Sequence, residues 1–284
     1  MLTVSSVNVN GIRAAAAKGF TAWLSNTAAD IVCLQEIRAE VEEVPPQLRA
    51  VLDTWHLTWV PSQIARGRAG VAVLTRRPPE AVRVGFGSTE FDRSGRYVEV
   101  DLPGLTVASL YLPKGEAGTP RQEAKDRFLN VFGAHLRERR EKAIVDGREV
   151  LVCGDWNIAH TTADIRNWRG NLRSSGFLPH EREWFGALLD AGYVDVVRKV
   201  HPDTNGPYTW WSYRGRAFDN DVGWRIDHHV ATAGLAARAV SAVVERAPSY
   251  HARWSDHAPV TVCYATDEKT ANSGSSVEVP DAAT

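Results

Sequence analysis

The sequence lacks the features that define several large classes of protein. Its three cysteines are odd in number, lie in apolar runs and show no metal-ligand spacing: Cys33, Cys153 and Cys263. This pattern argues against a disulfide scaffold or a zinc site and favours reduced core thiols. No apolar run approaches the roughly 20 residues that span a bilayer, and there is no signal peptide. We therefore expect a soluble, cytoplasmic protein that binds no membrane.

A strong charge of either sign is also missing. The 33 basic and 34 acidic side chains give a formal net charge of −1, so binding of a polyanion must rest on local basic patches. Internal repeats and domain linkers are absent as well. With 284 residues, 44% of them hydrophobic, the chain can bury a sizeable core. We expect one domain at 1–266 and a polar, disordered tail at 267–284.

Apolar runs and hydrophobic periodicity predict many strands and few helices. Strands are expected at 2–9, 31–34, 57–60, 70–76, 96–102, 105–112, 149–153, 208–213, 225–232, 239–245 and 259–264. Helices are expected at 13–28, from Pro45-Pro46 to about Leu52, at 120–142 and at 181–191. Because the strands do not alternate strictly with helices, the pattern favours an α/β fold of two mixed sheets packed face to face, with helices outside.

Short polar segments follow several of the apolar runs. They are Asn8-Val9-Asn10, Leu34-Gln35-Glu36, Gly154-Asp155-Trp156-Asn157, Arg225-Ile226-Asp227 and Ser255-Asp256-His257. Burying such side chains unpaired costs several kcal/mol, so they are expected at strand ends on one rim. Their carboxylate and amide oxygens suit Mg²⁺ or Mn²⁺. A metal-dependent catalytic site that uses the whole chain is predicted.

Individual members of this rim each allow a second interpretation. Asp155 and Asn157 are two residues apart and would share a face in an extended segment, where they could act on a water and a phosphate. The same sequence also suits an Asx turn. Because strand neighbours face opposite ways, Asp227 is the better orienting partner for His257, which leaves Asp256 for the metal. Considered alone, His257 would be interpreted as a histidine at a strand edge whose hydrogen bonds are all made within the protein.

Two further residues could contact a phosphate. Tyr111 closes a strand, and its phenol could donate a hydrogen bond or, if its pKa were lowered, deliver a proton. An amphipathic tyrosine at a strand end is a fair alternative. Lys125, on the long predicted helix, could supply a phosphate contact, although alone it reads as a solvated lysine.

The motifs, taken together, resemble the exonuclease III family of abasic-site endonucleases. The resemblance spans about residues 1–265 in the family's order. It rests on Asn8-Val9-Asn10-Gly11-Ile12-Arg13-Ala14, Leu34-Gln35-Glu36, Tyr111 to Glu116, Gly154-Asp155-Trp156-Asn157-Ile158-Ala159, Trp224-Arg225-Ile226-Asp227 and Ser255-Asp256-His257-Ala258-Pro259-Val260. It implies a four-layered α/β sandwich, Mg²⁺ dependence and hydrolysis of the phosphate 5′ to an abasic site in duplex DNA. It also implies cleaning of blocked 3′ ends and some 3′→5′ exonuclease activity.

The resemblance also implies roles for the matching residues. The metal site is expected at Asn8, Glu36 and Asp256, and the catalytic groups are Tyr111, Asp155, Asn157, Asp227 and His257. The pocket for the extruded abasic sugar matches Trp210, Trp224 and Ile226, although core packing also explains tryptophans in strands. DNA contacts are expected from Lys125, Arg166, Arg169, Asn171, Arg173, Arg214 and Arg216. Each single arginine is about as well explained as a solvated loop residue, and only their clustering favours DNA.

Some features depart from the family or separate alternative functions. His228-His229 follow Asp227 where relatives commonly carry apolar or aromatic residues. A second metal site is conceivable there, but we prefer one packed and one exposed histidine. No long N-terminal extension precedes the first strand, so functions tied to one are not expected. The main alternative is a phosphatase or phosphodiesterase of the wider superfamily that acts on a small molecule or lipid. We expect a monomer that works at the bacterial nucleoid.

Overall fold

The computed structural model describes residues 1–266, so the predicted disordered tail at 267–284 lies outside the described residues. The strands are β1 (Leu2–Asn8), β2 (Ile31–Gln35), β3 (His56–Val60), β4 (Val71–Thr75), β5 (Ala81–Val84), β6 (Tyr97–Leu102), β7 (Leu105–Tyr111), β8 (Glu149–Asp155), β9 (Tyr193–Asp195), β10 (Asp227–Thr232), β11 (Ala239–Val244) and β12 (Val260–Tyr264). The helices are α1 (Ile12–Lys18), α2 (Phe20–Asn26), α3 (Pro46–Leu52), α4 (Pro120–Val145), α5 (Pro179–Asp190), α6 (Val196–Val200) and α7 (Ala233–Ala237).

The strands form two six-stranded sheets. The first has the order β11-β12-β1-β2-β4-β3, and the second has the order β5-β6-β7-β8-β10-β9. One pair in the middle of each sheet is parallel, namely β1 with β2 and β7 with β8. The remaining neighbours run antiparallel. The predicted pair of mixed sheets flanked by helices is confirmed.

Apolar side chains on alternate strand positions hold the two sheets together. Val4, Val107 and Leu151 lie in the cluster between the sheets and are fully buried. Residues between these positions face the helix layers, as Val150 and Val152 do beside α4. Because each sheet is covered on both faces, its central strands are buried along nearly their whole length.

Helix α4 forms most of the outer layer on the second sheet. Phe128, Phe132 and Leu136 are fully buried and spaced four residues apart, so they form one stripe that packs on the sheet. The helix begins after Thr119, whose hydroxyl accepts the N–H of Arg121 at 3.2 Å. Helices α1 to α3 cover the first sheet in the same manner. Over residues 1–266, no helix combines the length and apolar character needed to cross a membrane.

Several predicted elements differ from the structure. The helix expected at 13–28 is broken at Gly19, where a φ of 126° ends α1 and begins α2. The strand expected at 208–213 is irregular, because Trp210 makes only isolated bridges to Trp224 and His257. The short elements β5, β9, α6 and α7 were not expected from the sequence.

Candidate active site

The site forms where inward-facing rows of the central strands end. In β1 the row that includes Val4 ends in Asn8, and in β8 the row of Leu151 and Cys153 ends in Asp155. Asp155 is paired in register with Tyr111 of β7 and with Asp227 of β10. The alternation that builds the apolar core therefore delivers polar groups to one edge of the sandwich.

Asp155 lies at the centre of these polar groups. Its Oδ2 atom accepts the Nδ2–H of Asn8 at 2.9 Å and lies 3.8 Å from Nε2 of His257. Burial, with smaller contributions from the charges of Asp227 and Glu36, raises the pKa of Asp155 to about 7, although the His257 charge opposes the shift. A carboxylate with such a pKa can exchange a proton near neutral pH.

The other Asp155 oxygen makes the turn that the sequence allowed as an alternative. Oδ1 accepts the backbone N–H of Asn157 at 2.9 Å, and Asn157 has a left-handed φ of 49°. The extended segment predicted for these residues is therefore wrong, because β8 ends at Asp155. The Asn157 side chain donates to the Leu112 carbonyl at 2.9 Å and lines the same cavity as His257. Asn157 therefore takes part in the turn and lines the cavity at the same time.

His257 is oriented by Asp227, as predicted. Its Nδ1 lies 2.8 Å from Oδ2 of Asp227, which also accepts the hydroxyl of Thr209 at 2.6 Å. Burial alone would lower the pKa of His257, but the charge and hydrogen bond of Asp227 outweigh it and raise the pKa to about 10. The imidazolium therefore holds Asp227 through Nδ1–H and keeps Nε2–H for an anionic ligand.

Glu36 belongs to the group in the described chain that could hold a metal ion. One ligand atom each from Glu36, Asp155 and His257 lie within 4.8 Å of one another. The two carboxylates share the amide nitrogen of Asn8, which donates to Oε1 of Glu36 at 2.7 Å. Arg38 pairs with the outer oxygen Oε2 of Glu36. The Arg38 guanidinium therefore lies against this carboxylate, as expected where negatively charged side chains are close together.

Asn8 and Asp256 are placed differently from the predicted metal site. The Asn8 oxygen accepts the N–H of Asn10 at 2.9 Å, so its nitrogen, which cannot bind a cation, faces the acids. The Asp256 oxygens accept the side-chain N–H groups of Asn10 at 2.7 Å and Trp210 at 3.0 Å. The acid closest to Glu36 is Asp155 rather than Asp256, because Asp155 ends an inward-facing row and Asp256 lies in a loop.

Tyr111 remains a protonated phenol. Burial raises its pKa well above the usual value, and the charges of Glu36 and Asp155 add to the shift. Arg96 lies 4.8 Å above the ring, and its Nη1 donates to the Tyr111 carbonyl at 3.2 Å. A lowered pKa, the condition attached to proton delivery by Tyr111, is not met. The phenol can still donate a hydrogen bond.

The three residues predicted to form a sugar pocket lie beside His257. Trp210, Trp224 and Ile226 line one cavity of about 390 Å³ together with His257 and Asp155. The two indole rings are 6.2 Å apart and nearly perpendicular, at 83°. Both tryptophans are half-buried and pack on a small apolar cluster that contains Ile226. They are therefore partly core and partly cavity wall.

The predicted DNA-contact arginines are exposed on loops near this cavity. Arg166, Arg169 and Arg173 are exposed, and Asn171 lines the cavity itself. Arg169 stacks 4.3 Å above the ring of Trp168. In the second loop, Arg214 and Arg216 are also exposed, and Arg216 lies 3.7 Å from Asp219. Contact of these residues with DNA stays a prediction.

Lys125 does not lie on the surface. Its ammonium group is fully buried, 2.7 Å from Oε1 of Glu181, and donates to the Asn157 carbonyl at 2.8 Å. Lys125 also borders the cavity that contains Asp155 and His257, so a phosphate contact from this side chain stays a prediction. Because α4 packs under the loop that follows β8, Lys125 supports the backbone of Asn157 from below.

Both residues of the His228-His229 pair are fully buried. His228 lies 2.8 Å from the Ile158 carbonyl, and His229 lies 3.1 Å from the Val260 carbonyl. The expectation of one exposed histidine is wrong, since β10 is covered by helices on one face and by the first sheet on the other. The two rings face opposite ways and form no common metal site.

The sequence-based interpretation also missed several supporting residues. Thr209 donates to Asp227, Asn10 holds Asp256, and Arg38 pairs with Glu36. Asn10 belongs to the recognised Asn8-Val9-Asn10 motif, and Arg38 lies two residues after Glu36, so both positions were a usable signal. Thr209 comes from a distant loop, so no local signal indicated its contact.

Comparison with known proteins gives consistent results. Residues 5–257 match the sequence profile of the Endonuclease/Exonuclease/phosphatase family. An exodeoxyribonuclease of Bacillus subtilis is 34% identical over 256 residues, covering 90% of this chain and 96% of that protein. The structure of an AP endonuclease from Archaeoglobus fulgidus has a TM-score of 0.82 and 28% identity, covering 94% of this chain and 100% of that one. A 3′ phosphatase from Neisseria bound to product DNA has a TM-score of 0.83 and 28% identity, with the same coverage of 94% and 100%.

Proposed function

Because the chain belongs to the endonuclease/exonuclease/phosphatase family, we propose that it is a DNA repair nuclease that cuts duplex DNA 5′ to abasic sites. It also removes blocking groups from 3′ ends and has 3′→5′ exonuclease activity. The observation that carries the proposal is the placement of one cavity, lined by Trp210, Trp224 and Ile226, directly beside Asp155 and His257. The names of the similar exodeoxyribonuclease, AP endonuclease and 3′ phosphatase support the choice of DNA.

A divalent cation, Mg²⁺ with Mn²⁺ as a substitute, fits the acidic group. Glu36 and Asp155 present hard oxygen atoms close together, and the Arg38 guanidinium on Glu36 occupies a place that suits a positive charge. Glu36 would anchor the ion beside Asp155, while the amide nitrogen of Asn8 orients both carboxylates and Asp256 is bound by Asn10 and Trp210. When bound, the ion would neutralise charge that develops on the phosphate.

The protein side chains divide the remaining chemistry. Asp155, with a pKa of about 7, takes a proton from the attacking water. His257 donates Nε2–H to a phosphate oxygen and stays charged because its pKa is about 10. Tyr111 donates a further hydrogen bond without losing its proton. Asn157, fixed by Asp155 and Leu112, lines the cavity where the phosphate binds.

The cavity and loops provide selectivity for damaged duplex DNA. A sugar without a base is extruded at low cost, and Trp210 and Trp224 border the cavity that would receive it. The exposed arginines of residues 166–173 and 214–216 attract the backbone phosphates locally. This local attraction is needed because the net charge of −1 gives the protein no overall attraction to DNA. The protein works as a monomer through a single catalytic domain, residues 1–266, in the cytoplasm at the nucleoid.

The deciding experiment uses a duplex with one tetrahydrofuran abasic analogue. The purified protein should cut it 5′ to the analogue with Mg²⁺ and should lose the activity with EDTA. Asp155→Asn and His257→Asn should each lower kcat by about 10²–10⁴-fold, the range typical of general acid–base groups. An absence of cleavage with metal present would reject the function.

The small-molecule alternative can be tested with the same preparation. If the protein hydrolysed phosphoinositides or sphingomyelin faster than the abasic duplex, the DNA assignment would fail. We expect the opposite, because the exposed arginines flank the cavity over a surface larger than a small phosphoester can contact.

A further inference from the structure

Arg225 has a fully buried guanidinium that the proposed chemistry does not use. Its Nε donates to Oδ1 of Asp164 at 2.7 Å, and its Nη1 and Nη2 donate to the two oxygens of Asp195 at 3.0 Å and 2.7 Å. All three side chains are nearly inaccessible. A buried ionic network is seldom more stable than well-packed apolar residues, so its retention here points to a need for fixed geometry.

Asp164 connects this network to the predicted DNA-contact loop. Its Oδ2 accepts the N–H of Thr161 at 2.8 Å, and its carbonyl accepts the N–H of Arg225 at 2.7 Å. Two residues later, the N–H of Arg166 donates to the Gly223 carbonyl at 3.0 Å. The start of the arginine loop is therefore bound along the segment that contains Arg225.

The neighbours of Arg225 in the chain are cavity residues. The Trp224 carbonyl accepts the N–H groups of Thr209 at 2.8 Å and Trp210 at 2.9 Å. The Ile226 carbonyl accepts the N–H of Trp156 at 2.8 Å, directly after Asp155. A shift of the Arg225 backbone would move both the wall of the cavity and its connection to β8.

His228 completes the network on the side away from the cavity. Its Nε2 lies 2.8 Å from the Ile158 carbonyl, which fixes a proton on that nitrogen. Its Nδ1 lies 3.1 Å from Nη1 of Arg225 and 3.3 Å from Oδ2 of Asp195, so the ring packs against both members of this ion pair. A buried guanidinium with partners on Asp164, Asp195 and His228 has little freedom to move.

We propose that Arg225 is a positioning residue that holds the arginine loop and the Trp224–Ile226 cavity wall in one fixed arrangement. This inference rests on the proposed function, since it assigns the network to recognition of the abasic sugar. Lysine at this position keeps the charge but cannot make the forked contact with Asp195 while also reaching Asp164. The cavity wall would then be misplaced while Asp155 and His257, held by other contacts, keep their arrangement.

The test compares two substrates that use the cavity differently. One is a duplex with an internal tetrahydrofuran, which must enter the cavity, and the other is a duplex with a recessed 3′-phosphate, which leaves the cavity empty. Arg225→Lys should lower kcat/KM at least about tenfold more on the first than on the second, as small misplacements of substrate can cost this much. Arg139→Lys is the matched control. Arg139 lies in the C-terminal part of α4, is largely buried and pairs with Glu99 of β6.

Each outcome is informative. Equal losses on both substrates, or no loss on either, would overturn the positioning role. If Arg225→Lys does not fold, Asp164→Asn gives the same comparison, because it weakens the contact with Arg225 while keeping the shape of the side chain. Failure of the wild-type protein on tetrahydrofuran, with activity on the 3′-phosphate, would instead reject the abasic-site function.

Discussion

At the scale of single residues, the two oxygens of Asp155 serve two purposes. One closes the turn to Asn157, and the other faces His257 in the cavity. The sequence suggested turn and catalysis as alternatives, but a carboxylate has enough acceptor sites for both. The same position therefore combines a local structural role with a chemical one.

The substitution Asp155→Asn separates these two roles. The amide oxygen can still accept the N–H of Asn157, so the turn is retained, but the side chain can no longer take a proton. We expect the loss of activity given above with only a small change of the unfolding midpoint in urea, because the new amide nitrogen replaces the oxygen that accepts the N–H of Asn8. A large loss of stability would show that Asp155 acts mainly through the turn.

The pH dependence of cleavage should follow the same carboxylate. Asp155 has a raised pKa of about 7, so activity should fall as the pH drops through this value and the base becomes protonated. A divalent cation at Glu36 favours the deprotonated form, and added Mg²⁺ should therefore move the inflection to lower pH. Single-turnover rates between pH 5 and 9 at two Mg²⁺ concentrations provide the measurement. An upward movement of the inflection would contradict the assignment.

Tyr111→Phe tests the phenol as a hydrogen-bond donor. Because burial keeps the phenol protonated, removal of the hydroxyl should lower kcat by about tenfold and leave the shape of the pH profile unchanged. Tyr193→Phe is the matched control, since the Tyr193 hydroxyl donates to the Leu136 carbonyl at 2.8 Å beneath α4. A changed pH profile in Tyr111→Phe would indicate that the tyrosine transfers a proton.

At the scale of elements, the sequence predicted the buried strands well and the exposed elements poorly. Strands β1, β2, β4, β7 and β8 are covered on both sides, and each contains enough buried apolar residues to be recognised, although serine and threonine interrupt β1 and β7. Edge strand β5 is largely exposed and carries a weak apolar signal. The segment around Trp210 has the composition of a strand, but its aromatic rings line a cavity instead of a sheet.

The arginine loop should control the electrostatic part of DNA binding. Replacing Arg166 and Arg169 with alanine should weaken binding and reduce the slope of log K against log salt by about 1.8, since each phosphate contact contributes about 0.9. The matched control replaces Arg49, which is partly exposed on α3, and Arg137, which is exposed on α4. Equal slopes for both double variants would show that the loop does not contact phosphates.

Lys125→Met should affect folding instead of DNA attraction. Removing one partner of the buried pair leaves Glu181 uncompensated and should lower the free energy of unfolding by about 3–5 kcal/mol. The salt dependence of DNA binding should stay as in the wild type. Equilibrium urea unfolding and fluorescence titrations with duplex DNA measure the two effects. A reduced salt dependence of DNA binding in Lys125→Met would show that Lys125 contacts a phosphate.

At the scale of the whole molecule, two buried groups should lose their stabilising contributions in acid over different pH ranges. Burial lowers the pKa of His229 to about 4, so its contribution to stability is present above its unfolded value of 6.5 and is lost as the pH falls toward 4. Burial alone would raise the pKa of Asp164, but the Arg225 charge holds it at about 2. Its contribution is complete above the unfolded value of 3.8 and is lost toward pH 2.

Urea unfolding at pH 7, 4 and 2 tests this order. Asp164→Asn should reduce the loss between pH 4 and 2 by about 2 kcal/mol and leave the loss between pH 7 and 4 unchanged; Asp101 and Asp195, whose pKa values are also lowered, supply the rest of the loss at low pH. Because the raised pKa of Asp155 makes an opposite contribution between pH 7 and 4, the His229 effect is measured in Asp155→Asn, where constant stability over this range would contradict the burial of a neutral His229.

The site was predictable as a set of residues but not as a set of contacts. Strand-end position brought Asn8, Asp155 and Asp227 to one rim, because alternate strand residues face the same way. Which acid lies beside Glu36 depends on the register between strands and on loop paths, and these are long-range properties. The burial of Lys125 likewise depends on how α4 packs against the second sheet.

The two sheets repeat one strand pattern, with a parallel pair in the middle and antiparallel strands on both sides. Each repeat brings different chemistry to the shared rim. The first half of this pseudo-symmetric pair, with the loop that leads into β12, supplies Glu36 and His257, and the second supplies Tyr111, Asp155 and Asp227. The group that could hold a cation therefore takes Glu36 and His257 from one half and Asp155 from the other, so it is assembled only when the two sheets pack face to face.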